Sequence, residues 1–439
     1  MEAAEQIKHA ELEVEKHVLC AVPDTRSTIH TLRSEGVSIC FVSDMYLSAS
    51  FIKERLIEHD IWRSSDRIHV SHKHGDFKHR GRLFRHVVDE LPNGSRIVVH
   101  VGDSLSADVK GAQAAGLSSY HFDECIPNRY ESILGRYIHK TNGVSGLLAG
   151  ASRAVRLHEE PQTEHEAALS SVAAGVLAPA VVGFVAWVLR QAKRRKLDRL
   201  YFSARDGYLF LPVAHALVSA FNMDCEMRYL YLSRAAITAP YPRPEVVSST
   251  WDYYEQAHNH ELLARLHLTA EDIAPFLSTE EEHAYATSSP ATEQSKQAIQ
   301  SVLSQMITNE CYPDALAKNQ RQLLDYLQQE KWGDAGRSGF VDIGWRGSIH
   351  RLLNDLLLEA DMISEPVPGF YFGLNSNQHE YANYRTAYFF DKHRKIGHED
   401  PLPEDDISTV MEMFCTASHG TVTGFRSDGK GVSPILEPT

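Results

Sequence analysis

The sequence predicts an α/β fold, with one parallel sheet followed by a second. Two observations predict it: short apolar runs of strand length alternate with stretches of helical periodicity, and the alternation lapses once before resuming. Strands separated by helices imply parallel βαβ units, whose sheets are covered on both faces. In such sheets ligands collect at the carboxyl ends of the strands, so the chemistry is sought just after each strand.

Taken in order, residues 3–19 and 27–33 read as helices, the second stopped near Gly36. The run Val37 to Val42 (VSICFV) is apolar throughout, as a strand buried on both faces should be. Helix 48–58, strand 67–71, helix 80–90, strand 96–101, helix 106–115 and strand 118–122 follow. These make a first domain over residues 1–125, and residues 126–165 form a connector with helical pieces. A second domain over 166–439 opens on an apolar helix and continues with strand 199–202, helix 207–220 and strand 227–232. A helical, loop-rich region spans about 250–335, with the polar stretch Ser278 to Ser295 as a surface excursion. Strand 339–343, helix 347–359 and strands 367–373 and 384–390 complete the series.

The chain of 439 residues carries 44 basic and 58 acidic residues, a formal charge of −14, which repels a polyanion and argues against nucleic acid as a partner. Six cysteines (Cys20, Cys40, Cys125, Cys225, Cys311, Cys415) show no short-spaced pair. That excludes a CxxC-type zinc site and a disulfide scaffold, and points to reduced thiols in the cytoplasm. The uncharged run Val172 to Leu189 is long enough for a short membrane span, and basic residues follow it. Pro179 within the run and the strand soon after it favour instead a helix packed on a sheet.

Three strand ends of the first domain carry polar residues. Ser43-Asp44 follows the first strand, Lys78 follows the second, and Gly102-Asp103-x₄-Asp108 follows the third. A hydroxyl and an ammonium suit phosphoryl oxygens, and carboxylates suit a hard divalent cation. Histidines gather around the lysine (His69, His72, His74, His79, His86), with His72 and His74 sharing one side of an extended segment. Lacking matching acidic or cysteine ligands, they read as solvated loop residues. In the second domain Arg205-Asp206, Arg234, Asp342 and Arg346 follow strands, and Ser348 caps the helix after Gly347. The arginines can clamp phosphate, and the carboxylates can take a cation or a sugar hydroxyl. The alternative is that Asp206 and Asp342 cap helices and pair with Arg234 or Arg346.

The order Ser, Lys, Gly-Asp-x₄-Asp resembles the second, third and fourth motifs of the haloacid dehalogenase superfamily. The wording FVSDMYL at 41–47, KHRGRLF at 78–84 and HVGDSLSADVKGAQAAGL at 100–117 is similar to one subgroup. Those are hydrolases found with glycosyltransferases and surface-polysaccharide genes. FSARDG, YLSRAA, VDIGWRGSI and MEMFCTASHGTVTGF extend the resemblance from about residue 11 to about residue 430.

The resemblance implies a Rossmann-like sheet of the superfamily type, N-terminally truncated. It further implies that Ser43 and Lys78 hold a phosphoryl group and that Asp103 and Asp108 hold Mg²⁺. The substrate would be a phosphorylated sugar or related small molecule, and a glycosyltransferase a partner. The family's Asp-x-Asp nucleophile and its strand are expected upstream of the helix at 11–16. The one Asp ahead of Ser43 is Asp24, which no apolar strand precedes. Without a nucleophilic carboxylate no aspartyl-phosphate forms, so weak or absent turnover follows. The alternatives are a non-catalytic binding or scaffold module in glycan assembly, and a membrane component using residues 172–189.

Overall fold

The structure, a computed structural model, describes all residues except 1, 91–97, 243–257, 283–291, 310–312, 376–379, 393–403 and 439. The start of the strand expected over 96–101, parts of the region 250–335 and Cys311 lie outside the described residues. The chain divides into two units, Met1–Pro179 and Ala180–Thr439. Both are mixed α/β with parallel strands, as the alternation required.

In the first unit, β1 (Cys40–Ser43) pairs in parallel with β2 (Arg67–Val70), and β3 (Val99–Gly102) pairs in parallel with β4 (Ser118–His121). Among the described residues the two pairs are separate sheets. Parallel strands are ordinarily covered on both faces, yet Val99 and Val101 of β3 are 52% and 56% exposed. The core lies instead around the helix Arg82–Asp89, whose Leu83, Phe84 and Val87 are buried together with Val70, Phe51 and Ala112.

Two glycines allow the backbone to close around this core. Gly81 adopts a φ of +75°, and a side chain there would meet the carbonyl of Gly111 at 2.9 Å. A Cβ on Gly111 would lie 2.3 Å from the carbonyl oxygen of Lys78. The helix expected over 27–33 begins earlier, at Pro23–Ser34, because proline fits the first helical turn, where no N–H is needed. The connector is helical over Arg129–Gly135 and Val144–His158, joined by the ion pair of Arg156 with buried Glu131 at 2.8 Å.

The second unit is built on five parallel strands: β5 (Arg199–Ser203), β6 (Glu226–Leu230), β7 (Ser338–Asp342), β8 (Gly369–Leu374) and β9 (Arg385–Asp391). Their order across the sheet is β6-β5-β7-β8-β9. The chain therefore goes from β5 to one side, then returns to the other side of β5 with β7. The topological switch falls between these two strands.

Side-chain alternation in β8 shows both faces covered. Phe370 and Phe372 meet Trp187 and Phe184 of the helix Ala178–Arg195, whereas Tyr371 meets His350 of the helix Ser348–Glu359. Residues Glu164–Arg195 form a helix long and apolar enough to cross a membrane by length and composition. Its Phe184, Val185, Val188 and Leu189 are buried, and Phe184 also packs on Phe210. A π turn at Ala173–Leu177 stands just ahead of Pro179, which has no N–H to continue regular bonding.

The helical region has its own core, in which Leu262, Leu263, Ile299, Val302, Leu303 and Met306 are buried together. Past β9 come the helix Glu404–Phe414 and an antiparallel hairpin, β10 (Val422–Ser427) with β11 (Val432–Leu436), which the strand–helix alternation did not anticipate.

Gly111→Ala should destabilise the first unit by about 1–3 kcal/mol in urea unfolding, because a backbone carbonyl cannot yield as a side chain would. Gly150→Ala is the control: it sits in the helix Val144–His158 with nothing within 4 Å of its added Cβ. There the better helix former should stabilise by about 0.5–1 kcal/mol.

Candidate functional site

Hydrogen bonds tie together three strand ends of the first unit. Ser43 is the last residue of β1, and the next residue, Asp44, accepts the Lys78 N–H with both carboxylate oxygens at 2.9 and 3.1 Å. The Lys78 ammonium donates to Asp108 Oδ1 at 2.5 Å, and His100 Nε2 lies 2.8 Å from the same oxygen. The Ser104 N–H donates to Asp108 Oδ2 at 2.9 Å. Helix capping near β1 falls to Ser48, which accepts from the Phe51 N–H, so Ser43 is not engaged as a cap.

Burial alone would raise the Asp108 carboxyl. Hydrogen bonds from His100, Lys78 and Ser104 outweigh it and hold the group well below the usual carboxylate range. Gly102 makes room for this: a Cβ there would lie 2.4 Å from the Asp108 carboxyl carbon. Asp103, by contrast, is exposed, and its carbonyl accepts from His121 Nε2 at 2.9 Å.

His100 was not singled out in the sequence, and Asp44 was named there only beside Ser43. The signal for His100 was its place two residues before Gly102, on the strand that ends at the acidic loop.

The histidines around Lys78 are arranged differently from the expectation. Ser71–His74 is a helical turn, so His72 and His74 do not line one side of an extended segment. His74 stacks between His69 and His86, with ring centroids 5.2 and 4.4 Å away. Burial disfavours the charged form of His69 and His74 and lowers both. Among the described residues no group of three histidine, cysteine, aspartate or glutamate side chains is arranged to hold a metal ion.

The second unit has a polar cleft of about 1350 Å³ at the carboxyl ends of β5 and β7, on the switch point. Arg205, Asp206, Arg234, Asp342 and Arg346 all line it, as their strand-end positions predicted. Ser348 does not stand among the lining residues, and it is not a cap. The N-cap is Gly347, whose φ of +69° no serine adopts readily, and Ser348 is the first helical residue.

Arg205, at φ +71°, holds a left-handed backbone immediately after β5, and its N–H donates to Tyr229 Oη at 2.8 Å. Asp206 occupies the N-cap of the helix Gly207–Leu217 but makes no capping bond with its side chain. The capping alternative is thereby set aside for Asp206. Asp342 ends β7 and is 5% exposed.

Burial first, then repulsion from Asp342, raises Asp206; burial raises Asp342 against the N–H of Ile343 and the charge of Arg234. Both carboxyls stand well above the ordinary range. Glu412, from the helix Glu404–Phe414, adds a third carboxylate and accepts Trp345 Nε1–H at 2.8 Å. Trp345 in turn stacks on Phe390 with centroids 5.8 Å apart.

No protein-family model matches the chain. It is similar to a ribulose-1,5-bisphosphate 5-phosphatase of Halopiger xanaduensis (strain DSM 18323 / JCM 14033 / SH-6), 32% identical over 103 residues. The match takes in 23% of this chain and 42% of that protein, so the chain spans less than half the length of the relative it matches.

Two pH responses follow from these carboxyls. Asp206 and Asp342 keep protons that the unfolded chain gives up above about pH 4, so stability of the second unit should fall as pH rises from there toward neutrality. In Asp206→Asn the fall should shrink, and the variant should gain on the parent at pH 8 relative to pH 5 in urea unfolding; equal slopes would refute the assignment. In the first unit Asp108 acts oppositely: its stabilisation is present above about pH 4 and is lost as acid protonates it. Lys78→Met leaves that carboxylate buried without its cation and should cost about 3–5 kcal/mol at pH 7.

Proposed function

We propose that the first unit is a phosphate-ester site of the haloacid dehalogenase type, acting on a phosphorylated small molecule of the sugar-phosphate class. The observation that carries this reading is the bonded path Asp44–Lys78–Asp108, which joins three strand ends at one place. Similarity to a phosphatase supports phosphate-ester hydrolysis as the chemistry. In this reading Ser43 donates its hydroxyl to a phosphoryl oxygen while the Lys78 ammonium, fixed by Asp108, faces the same group with its remaining protons. His100 keeps the Asp108 carboxylate in place.

The donor set fits Mg²⁺, which is commonly held by one or two carboxylates with substrate phosphate and water completing its shell. Exposed Asp103 would supply the carboxylate oxygen, and Asp108, with both oxygens engaged, would orient the loop that presents it. Bound there, Mg²⁺ would neutralise charge on the phosphoryl oxygens. The sequence resemblance is what supports a substrate in surface-polysaccharide assembly and a glycosyltransferase as partner in this reading.

Turnover by this chain alone should be slow. Asp44 and Asp108 both have their oxygens engaged in hydrogen bonds within the protein, which lowers their nucleophilicity toward phosphorus. A binding role in glycan assembly is favoured by the same observation.

Phosphate release from glucose 6-phosphate, with and without Mg²⁺, tests the assignment, together with equilibrium binding of the same ester. Asp103→Asn should abolish the Mg²⁺ dependence of binding, and Ser43→Ala should weaken binding by about tenfold. Lys78→Arg, which keeps the charge opposite Asp108, should fold and retain part of the affinity. Binding indifferent to all three substitutions would remove the site.

A further inference from the structure

We infer that the cleft at the switch point of the second sheet is a separate ligand site, built for a phosphorylated carbohydrate. The position is the first argument. Between β5 and β7 the chain leaves in opposite directions, opening a crevice above the strand ends.

The second argument is an unsatisfied group. Thr238, at the end of the helix Arg234–Thr238, is 6% exposed and lines the cleft, and among the described residues its hydroxyl has no hydrogen-bond partner. A buried hydroxyl left without a partner costs about 1–3 kcal/mol. A ligand hydroxyl or phosphoryl oxygen would supply the missing partner.

Strain is the third. Arg205 holds a left-handed backbone that L-residues rarely adopt, and it does so at the mouth of the crevice.

The chemistry of the lining selects the ligand class. Arg205, Arg234 and Arg346 offer planar guanidinium forks that match phosphoryl oxygens. Asp206, Asp342 and Glu412 offer acceptors for hydroxyl groups. A bare polyanion would meet these carboxylates, and a bare cation would meet the arginines and find no set of three ligands among the described residues. A molecule with one phosphoryl group and several hydroxyls meets both.

Trp345, braced by Phe390 and by Glu412, adds an aromatic side chain to the wall, against which the C–H face of a sugar ring can pack. At about 1350 Å³ the cleft exceeds the roughly 300–1,000 Å³ of ordinary small-ligand pockets, so the carbohydrate has room to continue beyond one ring. This site stands whether or not the first unit turns over phosphate esters.

Isothermal titration of the full chain with glucose 1-phosphate, glucose and inorganic phosphate tests the inference. Glucose 1-phosphate should bind at least about tenfold more tightly than either part alone. Arg234→Gln and Asp342→Asn should each weaken it by about tenfold or more, whereas Gly150→Ala, which touches neither site, should leave this binding unchanged. Because Asp342 is buried, Thr238→Val provides the variant that separates folding from recognition: it removes the unpartnered hydroxyl, so the melting temperature should hold or rise while affinity falls by about threefold to fivefold. Absence of binding, equal binding of inorganic phosphate, or affinity unchanged in Arg234→Gln would overturn the assignment.

Discussion

The carboxylate of Asp108 is the constraint around which the first unit is arranged. A charge with its side chain 2% exposed survives only if it is paired and hydrogen-bonded, and here an ammonium, an imidazole and a backbone N–H meet it. Each partner fixes a different piece of chain. Lys78 brings the segment after β2, His100 brings β3 itself, and Ser104 closes the loop onto its own helix. The two glycines are consequences of the same demand, since Gly102 leaves space for the carboxyl and Gly111 lets the helix approach the Lys78 carbonyl. Charge, close packing and loop shape are thus one problem with one solution.

The second unit handles carboxylates in the opposite way. Asp206 and Asp342 lie close enough to repel one another, in a setting where burial already disfavours charge. Such an arrangement reduces folding stability near neutral pH. The ridge of buried aromatic contacts on one face of the sheet, from Phe184 through Phe372 to Trp187 and Phe370, supplies the rigidity that lets β5 and β7 hold the pair in place.

Much of this was legible in the sequence because parallel strands buried on both faces are short continuous apolar runs. Runs such as Leu200-Tyr201-Phe202 and Phe340-Val341 were therefore found within a residue or two, and the polar residues just beyond them pointed to Asp206 and Asp342. What was not legible depended on long-range geometry. Ser348 was assigned as a cap on the usual preference of serine, but the backbone there turns through a left-handed residue, and glycine takes that role. Asp44 was quoted as a neighbour of Ser43; that it reaches the backbone of Lys78 is a contact across 34 positions that no local pattern encodes. Glu412 reaches its cleft from a helix 70 positions beyond Asp342, and the strand–helix rhythm had ended before it.

The two proposed sites would divide the recognition of a phosphate ester in different proportions. In the first, a single lysine is pinned by a carboxylate beneath it, so its direction is fixed and the attraction it offers an incoming anion is reduced by the charge behind it. Selectivity there rests on geometry. In the second, arginines and carboxylates alternate around an open cleft, and neither sign prevails. A ligand gains there only by presenting acceptor and donor groups together, because any unmatched guanidinium or carboxyl in a partly desolvated crevice forfeits the water it gives up. The consequence is that affinity in the second unit should fall steeply when either the phosphoryl or the hydroxyl half of a ligand is removed, whereas in the proposed first-unit site it should depend chiefly on the phosphoryl group held by Ser43 and Lys78.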